Sequence, residues 1–198
     1  MLQYIIPVKS AETKPEAIVA AALEAGCGWI QLRLDSDISD AEAAEMLPPV
    51  VDMCRDAAAF LTVEDRPELA ATLGMHGVHL TGGYAGPSPI ELRATMGAEA
   101  VIGVEVSSPA QVMALKGKDL DYVAVSCTLG EEYRCSIYAA ASAEPAMPAV
   151  LTGDVDAEGV PAAFAAGASG IASVHYGDEA AATATVAAML AAISEVMS

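Results

Sequence analysis

Basic residues are scarce in this sequence. Nine lysines and arginines stand against 27 aspartates and glutamates, a formal charge of −18 over 198 residues. A surface that negative repels nucleic-acid phosphates and anionic lipid headgroups, so neither nucleic acid nor membrane is an expected partner. Aromatic residues make up only 5%, with one tryptophan, Trp29. No apolar run reads as long enough to cross a bilayer, because Glu or Gly recurs every few residues. The stretch Met1 to Val8 has no basic segment ahead of its apolar residues, so a signal peptide is not expected. The four cysteines, Cys27, Cys54, Cys127 and Cys135, form no C-x-x-C pair and suggest neither a zinc knuckle nor a disulfide scaffold. A cytoplasmic protein with reduced thiols is the expectation.

What is abundant is alanine, within a hydrophobic fraction of 54%. That suffices to bury a sizeable core and argues against disorder despite the charge. The length fits one domain, 1–198, and no linker or composition break suggests a second.

Short apolar runs alternate with longer Ala-rich periodic runs. Strands are expected at Leu2–Val8, Trp29–Leu34, Phe60–Val63, Gly77–Leu80, Val101–Val106, Tyr122–Val125, Ala149–Leu151 and Ser169–Val174. Helices are expected at Lys14–Ala25, with Thr13 as N-cap, at Asp40–Ala58, broken or kinked by Pro48-Pro49, and at Pro67–Leu73, ended by Gly74. Further helices are expected at Ser88–Met96, with Ser88 as N-cap, and at Pro109–Lys116, Ala157–Ala166 and Glu179–Val196. The stretch from Ser126 to Met147 reads as less regular. Eight strand–helix units imply right-handed crossovers, a parallel sheet and a (β/α)8 barrel; an open doubly wound sheet is the alternative. In a barrel, function sits where strands end and the following loops begin.

Those strand ends resemble a known family. Gly28-Trp29-Ile30-Gln31-Leu32-Arg33, Glu64-Asp65-Arg66-Pro67-Glu68-Leu69-Ala70 and Gly74-Met75-His76-Gly77-Val78-His79-Leu80 are similar to motifs of thiamine-phosphate synthases and their thiazole tautomerase relatives. Ile102-Gly103-Val104, Leu120-Asp121-Tyr122-Val123 and Ala165-Ala166-Gly167-Ala168-Ser169-Gly170-Ile171-Ala172 continue the match in family order. The resemblance implies a transferase that joins a hydroxymethylpyrimidine pyrophosphate to a thiazole phosphate, with Mg2+ as cofactor. It implies Gln31 and Arg33 at the pyrophosphate, Asp65 at the metal, where Glu64 beside it is a second candidate ligand, and Gly153, Val174 and His175 around the thiazole phosphate. The partners would be small phosphorylated heterocycles; a homo-oligomer is left open.

The sequence departs from the family pattern in one direction. Asp35 replaces a lysine, Glu64 an asparagine, Glu105 a serine, and Tyr84 the second magnesium aspartate. Arg134 is the substitute for the sixth-strand lysine, beside Glu131 and Glu132; Thr152 replaces a glycine, and His175 a serine. Each close like-charge pair costs on the order of a few kcal/mol at an effective dielectric near 20, so Asp35, Glu64 and Glu105 are expected to weaken a pyrophosphate site. Candidate catalytic residues are therefore Arg33, His175 and Glu105. Candidate substrate contacts are Gln31, Arg33, Glu64, Arg134, Thr152, Gly153, Val174 and His175.

Each has a plainer reading. Arg33 either binds an anion or pairs with Asp35 or Glu64. Glu64-Asp65 is either a metal site or a solvated helix start. His79 reads as a hydrogen-bonded structural histidine, Cys127 as a small buried residue or a pocket thiol, and Gly82-Gly83 as a turn. Three functions remain open: a synthase with an altered pyrophosphate site, a tautomerase-like isomerase, and a non-catalytic barrel serving a partner.

Overall fold

A computed structural model describes residues 1–10 and 14–198. Eight parallel strands close in sequential order into a barrel. They are β1 (Leu2–Val8), β2 (Trp29–Leu34), β3 (Phe60–Glu64), β4 (Gly77–Leu80), β5 (Val101–Val106), β6 (Tyr122–Ser126), β7 (Ala149–Gly153) and β8 (Gly170–Val174). The helices are α1 (Glu16–Glu24), α2 (Asp40–Met46), α3 (Pro48–Asp56), α4 (Pro67–Leu73), α5 (Pro89–Met96), α6 (Pro109–Leu115), α7 (Glu131–Ser142), α8 (Val160–Ala165) and α9 (Glu179–Met197). The barrel expected from the eight repeats is present; the open sheet is not.

The local chemistry explains most boundaries. Ser39 and Ser88 each form a capping box, with Glu42 and Glu91 respectively. Leu47 ends α2 and Pro48 starts α3, so the proline pair divides one expected helix into two. Gly74 takes the left-handed conformation that closes α4. The expected N-cap at Thr13 lies outside the described residues; Pro15 occupies the cap position of α1.

One element is better defined than its sequence suggests, and one expectation needs correction. The stretch after β6 contains a 12-residue helix, α7. Its N-cap is Gly130, which has no side chain to signal a start, and only Ile137, Tyr138 and Ala141 are buried, so its apolar stripe is faint in the sequence. Helix α9 is 19 residues long with a mean hydropathy of 1.6, enough by length and composition to cross a membrane. Its alanines supply much of that hydropathy. Ala182, Val186, Met189 and Ile193 of this helix are buried within the fold.

Strand alternation divides the apolar residues into two layers. Tyr4, Ile6, Ile30, Leu32, Leu61, Val63, Val78 and Ile102 belong to the cluster packed with the helices. Ile5, Trp29, Tyr122, Ala124, Val150, Ala172 and Val174 form a second cluster inside the barrel. Gly103 makes room for the second: a Cβ there would lie 2.0 Å from Cζ of Tyr122. The Trp29 ring meets Tyr122 edge-on at 5.5 Å, and its indole N–H donates to Thr62 Oγ1 at 3.1 Å. These rings plug the lower barrel and leave polar residues for its upper end.

Candidate active site at the barrel mouth

The inward-facing positions at the ends of β2, β3 and β4 are polar. Register pairs Gln31 with Thr62 across β2 and β3, and Glu64 with His79 across β3 and β4. Glu64 is the hub of this end. Its Oε2 accepts from Arg33 Nε at 2.7 Å, and its Oε1 accepts from Arg33 Nη2 at 2.9 Å and from Gln31 Nε2 at 2.8 Å. This is the side-by-side pairing that a guanidinium makes with a planar carboxylate. The Glu64 side chain is 9% exposed and that of Arg33 43%, so the pair is rooted inside and opens outward. Bonding to Glu64 raises the pKa of Arg33, with Tyr176 and Glu105 adding smaller effects in the same direction.

His79 lies below this pair. It is buried, its Nδ1 is 2.9 Å from the Tyr122 hydroxyl, and its ring stacks on Tyr122. Burial lowers its pKa although Glu64, Glu105 and Asp65 each pull upward. A neutral imidazole therefore forms the floor of the mouth.

The remaining acids are also engaged. The Asp65 backbone has a φ of +52°, a conformation aspartate tolerates, and its carboxylate accepts from both the N–H and the hydroxyl of Thr81. It does not cap α4, whose cap position is Arg66. Glu105 Oε2 accepts from the Gly82 N–H at 3.0 Å. Asp35, expected to face the leaving group, instead accepts from the N–H of Asp37 and the hydroxyl of Ser36 in its own exposed loop. Gly82-Gly83 forms a turn, closed by the Tyr84 N–H donating to Thr81 O.

The opposite side of the mouth carries the residues expected at a phosphate. Gly153 has a φ of +126°, and a Cβ on it would meet Cys127 Sγ at 2.6 Å, so only glycine fits. Thr152 and Val174 are buried at the ends of β7 and β8. Two groups of amides that could hold an anion here are met by this chain's own carboxylates. Asp156 accepts from the Gly159 N–H, and Asp178 caps α9 by accepting from the Ala181 N–H.

His175 and Arg134 are placed differently from the rest. By alternation with Val174, His175 points away from the barrel axis. It is 5% exposed, its Nε2 is 3.0 Å from Gly177 O and its Nδ1 is 2.7 Å from the Tyr4 hydroxyl. A carbonyl only accepts, so Nε2 carries the proton and Nδ1 accepts from Tyr4. Burial pushes the Tyr4 phenol up to about 12, which keeps that donor protonated. Arg134 gives one guanidinium nitrogen to the backbone carbonyls of Cys127 and Leu129, bracing the loop that leads into α7.

The donor set does not suit a protein-held magnesium ion. Both Glu64 oxygens are taken by Arg33 and Gln31, and both Asp65 oxygens by Thr81. The third position is Tyr84, a poor ligand for a hard divalent cation when its phenol is protonated. Among the described residues, no group of three or more His, Cys, Asp or Glu side chains is arranged to hold a metal.

Two groups at the mouth were not among the expected site residues. His79 carries the same inward parity as Gly77, a signal present in the sequence once β4 is placed. Tyr176 is exposed and close enough to Arg33 to influence it electrostatically. A groove of about 250 Å³ between α4 and α5, lined by Pro67, Ala71, Leu92 and Met96, is apolar and lies away from this chemistry.

The comparisons agree with this architecture. A thiamine phosphate pyrophosphorylase from Pyrococcus furiosus superposes with a TM-score of 0.80 at 20% identity, covering 99% of this chain and 96% of that one. The likeness to that structure concerns the fold alone. A thiamine-phosphate synthase of Bacteroides fragilis (strain YCH46) is 32% identical over 76% of this chain and 79% of its own length. The corresponding protein of Azorhizobium caulinodans is 31% identical over 79% and 76%. A bifunctional thiamine biosynthesis protein of Symbiobacterium thermophilum is 29% identical over 81% of this chain, which spans 34% of that longer protein. The family model described as thiamine monophosphate synthase matches residues 2–176, which include every strand and the whole mouth, and the chain belongs to that family.

Proposed function

We propose that the chain is a transferase of the thiamine-phosphate synthase type. It would take two small phosphorylated heterocycles, a hydroxymethylpyrimidine pyrophosphate and a thiazole phosphate, in cytoplasmic thiamine biosynthesis. The observation that carries this reading is Arg33, fixed by Glu64 at the strand end and presenting its free edge to the mouth. In the reaction the carbon–oxygen bond to pyrophosphate breaks, and its electron pair leaves with the oxygen. A new bond to the thiazole phosphate substrate replaces it. Negative charge grows on the departing group, so a preorganised cation lowers the barrier most when it lies there.

Other residues have supporting roles. Gln31 orients the carboxylate that orients Arg33. Glu105, with one oxygen bound to Gly82, is the acid–base candidate of the mouth. The backbone at Gly153, beside Thr152 and Val174, is the candidate contact for the thiazole phosphate. His175 is a positioning residue that ties the end of β8 to Tyr4 and Gly177. Arg134 has the same kind of role for the loop after β6.

The test is an assay with both substrates and magnesium salt, following thiamine phosphate. Product formation is the expected result. No product at high enzyme concentration would overturn the reading. A second reading, a tautomerase-like isomerase of a thiazole phosphate, is favoured by one observation: the inner edge of Arg33 is already filled by Glu64. Binding of thiazole phosphate with no binding of the pyrimidine pyrophosphate would select it.

A further inference from the structure

We infer that Glu64 limits the anion affinity of the mouth by competing internally for Arg33. The inference rests on the proposal that Arg33 is the anion contact, and it adds what sets the strength of that contact. Glu64 occupies Nε and Nη2 of the guanidinium, the edge that Arg would otherwise offer side-on to a phosphate or carboxylate. The pair is not a solvated rim contact, because the carboxylate is rooted beside buried Gln31 and His79.

The Gln31 amide shows how firmly the arrangement is held. Its Nε2 donates to Glu64, while its Oε1 is buried without a hydrogen-bond partner. Turning the amide would set its oxygen against the Glu64 carboxylate, acceptor facing acceptor. An unsatisfied buried acceptor is costly, so the network is organised around the carboxylate.

An incoming polyanion has two routes. It can displace Glu64, which leaves a nearly buried carboxylate with Gln31 as its remaining donor. Alternatively it can take the outer N–H groups of Arg33 and tolerate the Glu64 charge behind them. Both routes weaken binding, and the Glu105 carboxylate sits close enough to Arg33 to oppose an anion further.

The experiment is calorimetric titration of inorganic pyrophosphate into the full chain in EDTA-containing buffer. Wild type, Glu64→Gln and the double variant Glu64→Gln/Arg33→Gln are compared. Glutamine keeps the size of Glu64 and one acceptor but removes the charge. Glu64→Gln is expected to bind pyrophosphate at least about tenfold more tightly than wild type, the scale of one charge-assisted hydrogen bond. The double variant is expected to lose that gain. Unchanged or weaker binding by a natively folded Glu64→Gln would overturn the inference, since a merely structural Glu64 predicts that result. If Glu64→Gln does not fold, Glu64→Asp carries the comparison, because retracting the carboxylate breaks the two-point pairing. Tighter binding then supports the inference and unchanged binding overturns it. A gain in pyrophosphate affinity without thiamine phosphate formation by wild type would sink the synthase reading and leave Glu64 as the competitor. An active wild type with no gain would do the reverse.

Discussion

Glu64 shows what one substitution does at this strand end. The Glu64 carboxylate adds negative charge beside Asp65 in the sequence, yet in the fold it is paired with Arg33 and Gln31. The sequence offered both Asp35 and Glu64 as partners for Arg33. Choosing between them required the β2–β3 register, which sets residues 31 and 62 side by side and brings position 64 within reach of position 33. The placement of His175 needed the fold for a related reason. Its position at a strand end was legible, but its outward parity became clear only once Val174 and Ala172 were seen inside the barrel.

His79 gives a prediction at the same scale. Its pKa is lowered by burial in the native state, against an unfolded value near 6.5. Below that value the unfolded chain binds a proton that the native chain resists, so stability falls as pH drops below about 6.5 and is fully retained above it. His76, also lowered by burial, adds to the same window. Urea unfolding at pH 7.5 and 5.5 should show lower stability at the acid value and a smaller difference in His79→Gln. An equal difference in the variant would remove His79 from the account.

At the scale of elements, most of the fold was legible because the signals are local. Serine followed three residues later by glutamate marks α2 and α5, and both capping boxes are formed. Ser88→Ala should cost about 1 kcal/mol in urea melts, with no loss of the barrel's circular dichroism. A cost indistinguishable from zero would mean that Pro89 and packing alone start α5. Helix α7 was the element left poorly defined in the sequence. Glycine at its cap, two acids in its first turn and three buried residues give almost no periodic signal. Its position is set by packing beside α6 and by Arg134 gripping the loop that precedes it.

For the whole molecule, the charge of −18 bears on the reaction through what happens to the few cations. Arg55, Arg66 and Arg93 pair with aspartates outside the mouth, and Arg134 is bound to backbone carbonyls. Arg33 is the arginine left at the strand ends, and its inner edge is already bonded. The barrel was legible in the sequence because eight strand–helix repeats could be counted, and the family because six motif stretches matched in order. How the altered residues divide the work was not, since it depends on contacts between strands far apart in the chain. The most direct test of the account is steady-state kinetics of Arg33→Gln with the pyrimidine pyrophosphate as varied substrate. The account predicts active wild type and a fall in kcat/KM of at least about tenfold in a variant that folds normally. A kcat/KM equal to that of wild type would contradict it.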